Sequence, residues 1–174
     1  MTVNFSPKTP PGDDKIRQVC NDCGFVNYIN PKIVAGSVVT KENKILLCKR
    51  AIEPRKNYWT LPAGFMEEGE TVEAGAAREA MEEANADIDI DQLLGVYSVP
   101  RISQVQIMFR AKLMSDISPG PESLEVELFA WKDIPWRELA FPTVVWALTH
   151  YAQIRGKDAF VPFFNPPGTQ ALTH

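Results

Sequence analysis

GFMEEGETVEAGAAREAMEEANA, residues 64 to 86, decides how this chain is read. From Thr71 onward the stretch is rich in helix formers, with Thr71 placed as N-cap and Glu73 in the first turn. On such a helix Glu79, Glu82 and Glu83 are related by steps of three and four, so their carboxylates project into one small volume. Like charges held together raise one another's proton affinity unless a cation neutralises them. A hard divalent ion with oxygen ligands is the natural partner. Magnesium fits best, because it keeps waters and substrate phosphates in its shell. The turn Leu61-Pro62-Ala63-Gly64 is expected to aim a backbone carbonyl, that of Ala63, at the same ion. Arg78 cannot lose its proton, and Glu70 lies eight residues upstream, placed to pair with it bidentately and pin the loop to the helix. For any single pair of helix glutamates the plainer account is a solvated charged face. The whole set of spacings argues against it here.

Those spacings run Gly64, five residues, Glu70, seven residues, Arg78-Glu79, then Glu82-Glu83. The pattern resembles the Nudix box at its six fixed positions. Asn85 stands where the box has glycine, and small Ala80 and Ala86 occupy apolar positions; asparagine tolerates a left-handed helix end, so the exchange is compatible with the site. The resemblance extends from about Arg17 to Ala140, on VCNDCG, NPKIVAG, KILLCKR, YWTLPAGFMEEGET, REAMEEANA, SQVQIMFRAKL and PGPESLEVELFAWKDIPW. It is similar to the branch of FAD and ADP-ribose pyrophosphatases that carries a small cysteine ribbon before the Nudix domain. The resemblance implies an α/β Nudix fold, a curved mixed β-sheet sandwiched between α-helices behind a short cysteine-containing hairpin. It places a leader and partial zinc-ribbon segment at 1–30 and the Nudix domain at 31–174, and it implies a homodimer.

Bulk properties set limits. With 174 residues, 45% of them hydrophobic, the chain buries one substantial core. A net charge of −4 and a pI near 5.3 disfavour general affinity for a nucleic-acid backbone, so an anionic substrate would be held by metal and a few local cations. The N-terminus MTVNFSPKTPPGDDK has no apolar run, and neither a signal peptide nor a membrane span is expected. Three cysteines suit a reducing cytoplasm without a disulfide framework.

Residues 1 to 15 read as a flexible leader. Cys20 and Cys23 lie in a turn whose flanks, RQV and FVNYI, are expected to form a short hairpin. They make half of a zinc ribbon. A closed zinc site needs four ligands, and Cys48, His150 and His174 are the other candidates; a metal-free turn or a zinc shared between chains are the competing readings. Apolar strands are expected at 33–40 and 44–50, joined by Glu42-Asn43, with Cys48 a core thiol. ADIDIDQLLGVYSVP and the alternating SQVQIMFRAKL read as further strands, and a last strand follows Pro119-Gly120-Pro121. FPTVVWALTHYAQIRG reads as an amphipathic helix ending on Gly156. FVPFF, 160–164, is either dimer interface or core.

A diphosphate is inert because its own charge repels an attacking water. Metal held by Glu79, Glu82 and Glu83 would neutralise it, and a nearby carboxylate would serve as general base: Glu82, Glu122 or Glu125. A solvated loop and strand edge account equally well for any one of Glu122, Glu125 and Glu127. Arg50, Arg55, Lys56 and Arg101 are candidate clamps for the distal phosphate or ribose. Tyr58, Trp59, Phe65, Tyr97 and Phe109 are candidate stacking faces, although aromatics in alternating strands are more often core. Ser103-Gln104 offer hydrogen bonds to a base edge. The expected activity is Mg2+- or Mn2+-dependent hydrolysis of a nucleoside diphosphate linked to another moiety, ADP-ribose or FAD foremost, giving AMP. NADH, a capped RNA end, or a non-catalytic nucleotide-sensing domain are the alternatives. The intact acidic set favours the enzyme, since clustered carboxylates cost stability where no metal is bound.

Overall fold

The computed structural model describes residues 4–169, which fall into two compact units divided between Pro31 and Lys32. In the first, β1 (Phe5–Lys8), β2 (Arg17–Cys20) and β3 (Val26–Asn27) make an antiparallel sheet in that order. The hairpin about the cysteines thus forms, but the reading of residues 1–15 as a flexible leader needs correction. Phe5 pairs with Cys20 and Lys8 with Arg17, and Asp13 secures the connecting turn by accepting from Arg17 Nε at 2.9 Å and Lys15 N at 3.0 Å. β1 has almost no apolar periodicity; backbone pairing to β2 is what makes it a strand.

The second unit is a mixed sheet of seven strands with one helix on each face. Its strands are β4 (Lys32–Lys41), β5 (Lys44–Arg50), β6 (Trp59–Thr60), β7 (Ala63–Phe65), β8 (Ile88–Val99), β9 (Gln104–Leu113) and β10 (Ser123–Ala130); its helices are α1 (Val72–Ala84) and α2 (Pro142–Ile154). The order is β10-β5-β4-β9-β8, with β6 on β5 and β7 on β4; β4 and β9 run parallel. Glu42 and Asn43, both at positive φ (51° and 65°), make the two-residue turn that matches the strand twist. β4 and β5 pair only at Thr40–Ile45 and Lys41–Lys44 before they separate. The Trp59–Phe65 segment enters that split, pairing to β5 through β6 and to β4 through β7. Through this opening a group on α1 can face a cleft that also reaches α2.

Strand alternation sorts the core. Ala35, Val39, Phe109 and Ala111 face Ala76, Ala80 and Ala84 of α1, whereas Val38, Tyr97 and Met108 face Trp146, Ala147 and Leu148 of α2. The alanines of α1 let the helix lie close to the sheet. Ala80 and Ala86 are fully buried, so their small size is a packing choice. α1 begins on Thr71, whose Oγ1 accepts from Ala74 N at 3.2 Å. It ends on Asn85 at φ 47°, and the Asn85 amide donates to Ser118 Oγ at 3.0 Å. Asparagine here does more than adopt a left-handed cap; it ties the β9–β10 loop to the helix end. Gly120 in that loop sits so close that a Cβ would collide with the Glu82 carbonyl.

The FVPFF stretch divides. Phe163 stacks on His150 with ring centres 4.2 Å apart and bonds through its backbone to Leu94 and Val96, while Val161 and Phe164 are exposed. Among the described residues no helix is long and apolar enough to cross a membrane.

Candidate active site

Arg78 organises the acidic end of the cleft. Its Nε and Nη2 grip Glu70 at 3.0 and 2.8 Å, and Nη2 also donates to the Phe65 carbonyl at 3.0 Å. The loop is thereby pinned to the helix. Arg78 draws Glu70 down to a pKa of about 2, and the carboxylates around it hold the guanidinium firmly charged. Gly75 leaves room for this fork, since a Cβ there would stand 2.8 Å from Glu70 Oε1.

Arg78 has a second task that spacing alone does not announce. Its Nη1 donates to Glu79 Oε1 at 2.7 Å and to Glu82 Oε2 at 2.9 Å. The expectation that Glu79, Glu82 and Glu83 converge is corrected accordingly. Among the described residues no three acidic, His or Cys side chains form a ready-made metal group; the exposed Glu82 is turned to the guanidinium instead. Glu79 and Glu83 remain buried, at 9% and 7% exposure. Glu79 packs against Gly64 where any Cβ would collide with its carboxylate. Burial raises the proton affinity of Glu79. Glu83 is pushed up to about 8, first by burial and then by the charges of Glu79 and Glu122. Its buried Oε2 has no hydrogen-bond partner among the described residues.

An unpartnered carboxylate oxygen in the interior is costly. Two crowded carboxylates, one with an orphan oxygen, facing a polar cleft, fit a hard cation. Ala63 lines the cleft beside them, on β7.

The cleft, of about 910 Å³, runs from this end to the N-terminus of α2. Arg50, Phe65, Arg101, Gln104 and Glu122 border it. Arg50 donates to the Pro54 carbonyl at 2.8 Å and lies over the Phe141 ring at 5.2 Å. Other candidates lie elsewhere. Trp59 is core, 6% exposed and edge-on to Phe129 at 4.9 Å. Arg55 lies over Tyr58 rather than in the cleft, and Lys56 is exposed. Glu125 points to solvent and pairs with Lys49 at 2.8 Å; Glu122, just before β10, is the loop carboxylate at the cleft. Glu127 is exposed on β10. Tyr97 and Phe109 are buried on opposite faces of the sheet, Tyr97 Oη lying 2.8 Å from His150 Nδ1. Ser103 serves the turn, its carbonyl accepting from Lys32 N at 2.8 Å.

Among the described residues of its own unit, the cysteine pair has no further Cys or His to complete a zinc site. The hairpin turns on Gly24 at φ 76°, and backbone N–H groups of Asp22 and Cys23 hold the Cys20 thiol below its ordinary pKa. All three cysteines are free. His150 is engaged with Tyr97, Cys48 is fully buried in β5, and His174 lies outside the described residues. Zinc on Cys20 and Cys23 thus lacks its remaining ligands within the unit.

Several cleft residues escape sequence reasoning. Gln106 and Met108 continue the face begun by Gln104, and Phe141, Thr143, Val144 and Trp146 bring the start of α2 to the cleft. A signal existed for the first group: polar residues at alternate positions of an otherwise apolar strand.

A family model for the NUDIX domain matches residues 30–148. A NUDIX hydrolase from Nitrosomonas europaea, known from its crystal structure, is 48% identical, with 94% of each chain covered and a TM-score of 0.88. An ADP-ribose pyrophosphatase of Methanocaldococcus jannaschii is 37% identical over 119 residues, 66% of this chain and 69% of that protein. An NAD-capped RNA hydrolase of Photobacterium profundum is 31% identical over 121 residues, 68% of this chain but only 44% of that protein. A family match spanning the sheet, the carboxylate helix and most of α2, joined to a relative alike along nearly its whole length, places this chain in the Nudix family as a hydrolase of the pyrophosphatase kind.

Proposed function

We propose that the enzyme is a magnesium- or manganese-dependent pyrophosphatase that splits the diphosphate of ADP-ribose or FAD, giving AMP and a phosphorylated product. The observation that carries the reading is the orphan buried oxygen of Glu83 beside Glu79, at one end of a cleft with room for a nucleotide. Glu79, Glu83 and, once released from Arg78, Glu82 would hold the metal, with the Ala63 carbonyl as a further ligand. The bound ion supplies charge neutralisation for the diphosphate and a lowered pKa for the attacking water.

The chain's own groups do the rest. Glu70 and Arg78 keep the loop registered on α1, so Gly64 and Glu79 stay in contact. Arg50 and Arg101, both on the cleft, are placed to bind phosphate or ribose oxygens. Glu122 is the proposed base: its carboxylate takes the proton of the attacking water, while the P–O bond breaks toward the leaving phosphate. Its charge reaches both Glu79 and Glu83, whereas Glu125 is engaged with Lys49.

The M. jannaschii relative, named an ADP-ribose pyrophosphatase, supports the substrate class. A capped RNA end carries the same linkage, but the net charge of −4 and the acidic Glu53 and Glu67 at the cleft disfavour a long polyanion. Assay of ADP-ribose, FAD, NADH and NAD-capped RNA with Mg2+ and then Mn2+ tests the reading. Cleavage of the first two, abolished by chelation, is expected; no cleavage of any of the four sinks it.

A further inference from the structure

The far end of the cleft is not used by the diphosphate chemistry. β9 puts Gln104, Gln106 and Met108 on one face through its two-residue period, and all three line the cleft. Val34, paired with Gln106 across β4 and β9, and Val144 and Trp146 of α2 form the apolar surroundings of the two amides. Partly buried amides in such surroundings are costly unless they meet partners. Gln92 on neighbouring β8 has one, donating to the Phe160 carbonyl at 2.9 Å; among the described residues no side-chain hydrogen bond ties Gln104 or Gln106.

We propose that Gln104 and Gln106 read the edge of an adenine base whose faces lie against Met108, Val144 and Trp146. A primary amide presents a donor beside an acceptor, the complement of adenine's N6 amine and its adjacent ring nitrogen. Apolar walls with a few convergent polar groups are the usual form of a site for a flat heterocycle. The spacing agrees. β7, β4 and β9 are successive neighbours in the sheet, so about 10 Å, two strand spacings, separate the backbone of Gly64, on which Glu79 packs, from that of β9. A nucleoside bridges that gap with its phosphate toward the carboxylates and its base toward the amides.

The inference rests on the nucleoside diphosphate reading and adds which side chains read the adenine that ADP-ribose and FAD share. It is tested with ADP-ribose and IDP-ribose, which differ only in the base, the exocyclic amine being replaced by a carbonyl. The wild-type enzyme should prefer ADP-ribose in kcat/KM by roughly tenfold or more. Gln104→Leu and Gln106→Leu should raise KM for ADP-ribose while kcat and the melting temperature hold, and the double variant should bring the preference close to one. A preference that survives the double substitution overturns the inference and leaves the diphosphate reading standing. If the wild type cleaves neither compound, ADP-ribose is not its substrate, and the diphosphate reading fails with it when FAD, NADH and NAD-capped RNA are also left intact. In that case calorimetric binding of AMP against IMP decides the base site separately: selective AMP binding lost in the double variant supports it, and equal binding of both nucleotides overturns it.

Discussion

Two regions of this chain present themselves by spacing as metal sites, and their surroundings differ. At the carboxylate end of the cleft, Glu79 and Glu83 are buried, their proton affinities are raised, and one oxygen of Glu83 is without a partner. In the N-terminal hairpin, Cys20 is held by backbone donors and, among the described residues, no third ligand joins it and Cys23 within the unit. The first arrangement is costly until a cation arrives. The second lacks that burden, because the Cys20 thiol already meets N–H groups of its own turn. Spacing nominates ligands, and desolvation decides which of them need an ion.

The comparison breaks most easily at Glu83. Glu83→Gln should lower turnover on ADP-ribose by orders of magnitude while the metal-free protein melts no lower than wild type, because an amide is cheaper to bury than a carboxylate. Steady-state assays and melts in chelator check the two halves; wild-type turnover in this variant would refute the site. Gly64→Ala should act through Glu79, since its Cβ must displace that carboxylate. A large loss of rate with little change in melting temperature is expected, and an unchanged rate would show that Glu79 has freedom to move away. Next in size is the response to Mg2+. An ion that binds only the folded state stabilises by about 2.7 kcal/mol at a hundred times its Kd, so the melting temperature should climb with Mg2+ in wild type and stay flat in Glu83→Gln.

Much of this was legible in the residues, and what was not has a physical cause. Thr71 as N-cap, Glu70 on Arg78 and the Glu42-Asn43 turn follow from local rules that tertiary contacts did not override. Trp59 and Glu125 were misplaced because strand alternation gives two faces without saying which one borders the cleft. β6 turns Trp59 into the core, and Glu125 is turned to solvent and Lys49. The second task of Arg78, bonding Glu79 and Glu82 as well as Glu70, depends on where the guanidinium lies between three carboxylates, which spacing along the chain does not encode. β1 escaped notice because a strand held by pairing alone carries no apolar pattern.

A smaller effect sharpens the contrast between buried groups that need a ligand and those already satisfied. His150 is desolvated, bonded to Tyr97 and stacked on Phe163, and its pKa lies below 6.5. Below pH 6.5 the unfolded chain therefore binds a proton that the native protein resists, so stability falls as pH drops through the unfolded value and levels off below the native one. Between pH 7 and 5 the wild type should lose more melting temperature than His150→Asn, the difference being no more than about 3 °C. Equal slopes would show that His150 takes up its proton without penalty in the fold.

The smallest effect is expected at the cysteines, where the other half of the comparison is at stake. If Cys20 is satisfied by the N–H groups of Asp22 and Cys23, Cys23→Ser should leave turnover and the main melting transition unchanged, and purified wild type should carry no stoichiometric zinc. The reason is geometric: β1 to β3 are joined by backbone pairing at every register position from Phe5–Cys20 to Val19–Val26, so the hairpin has its own hydrogen-bonded frame and does not wait for an ion to close it. Elemental analysis showing one zinc per chain, lost in Cys23→Ser, would mean that ligands beyond this unit complete the site, and would place the hairpin with α1 among regions that an ion finishes.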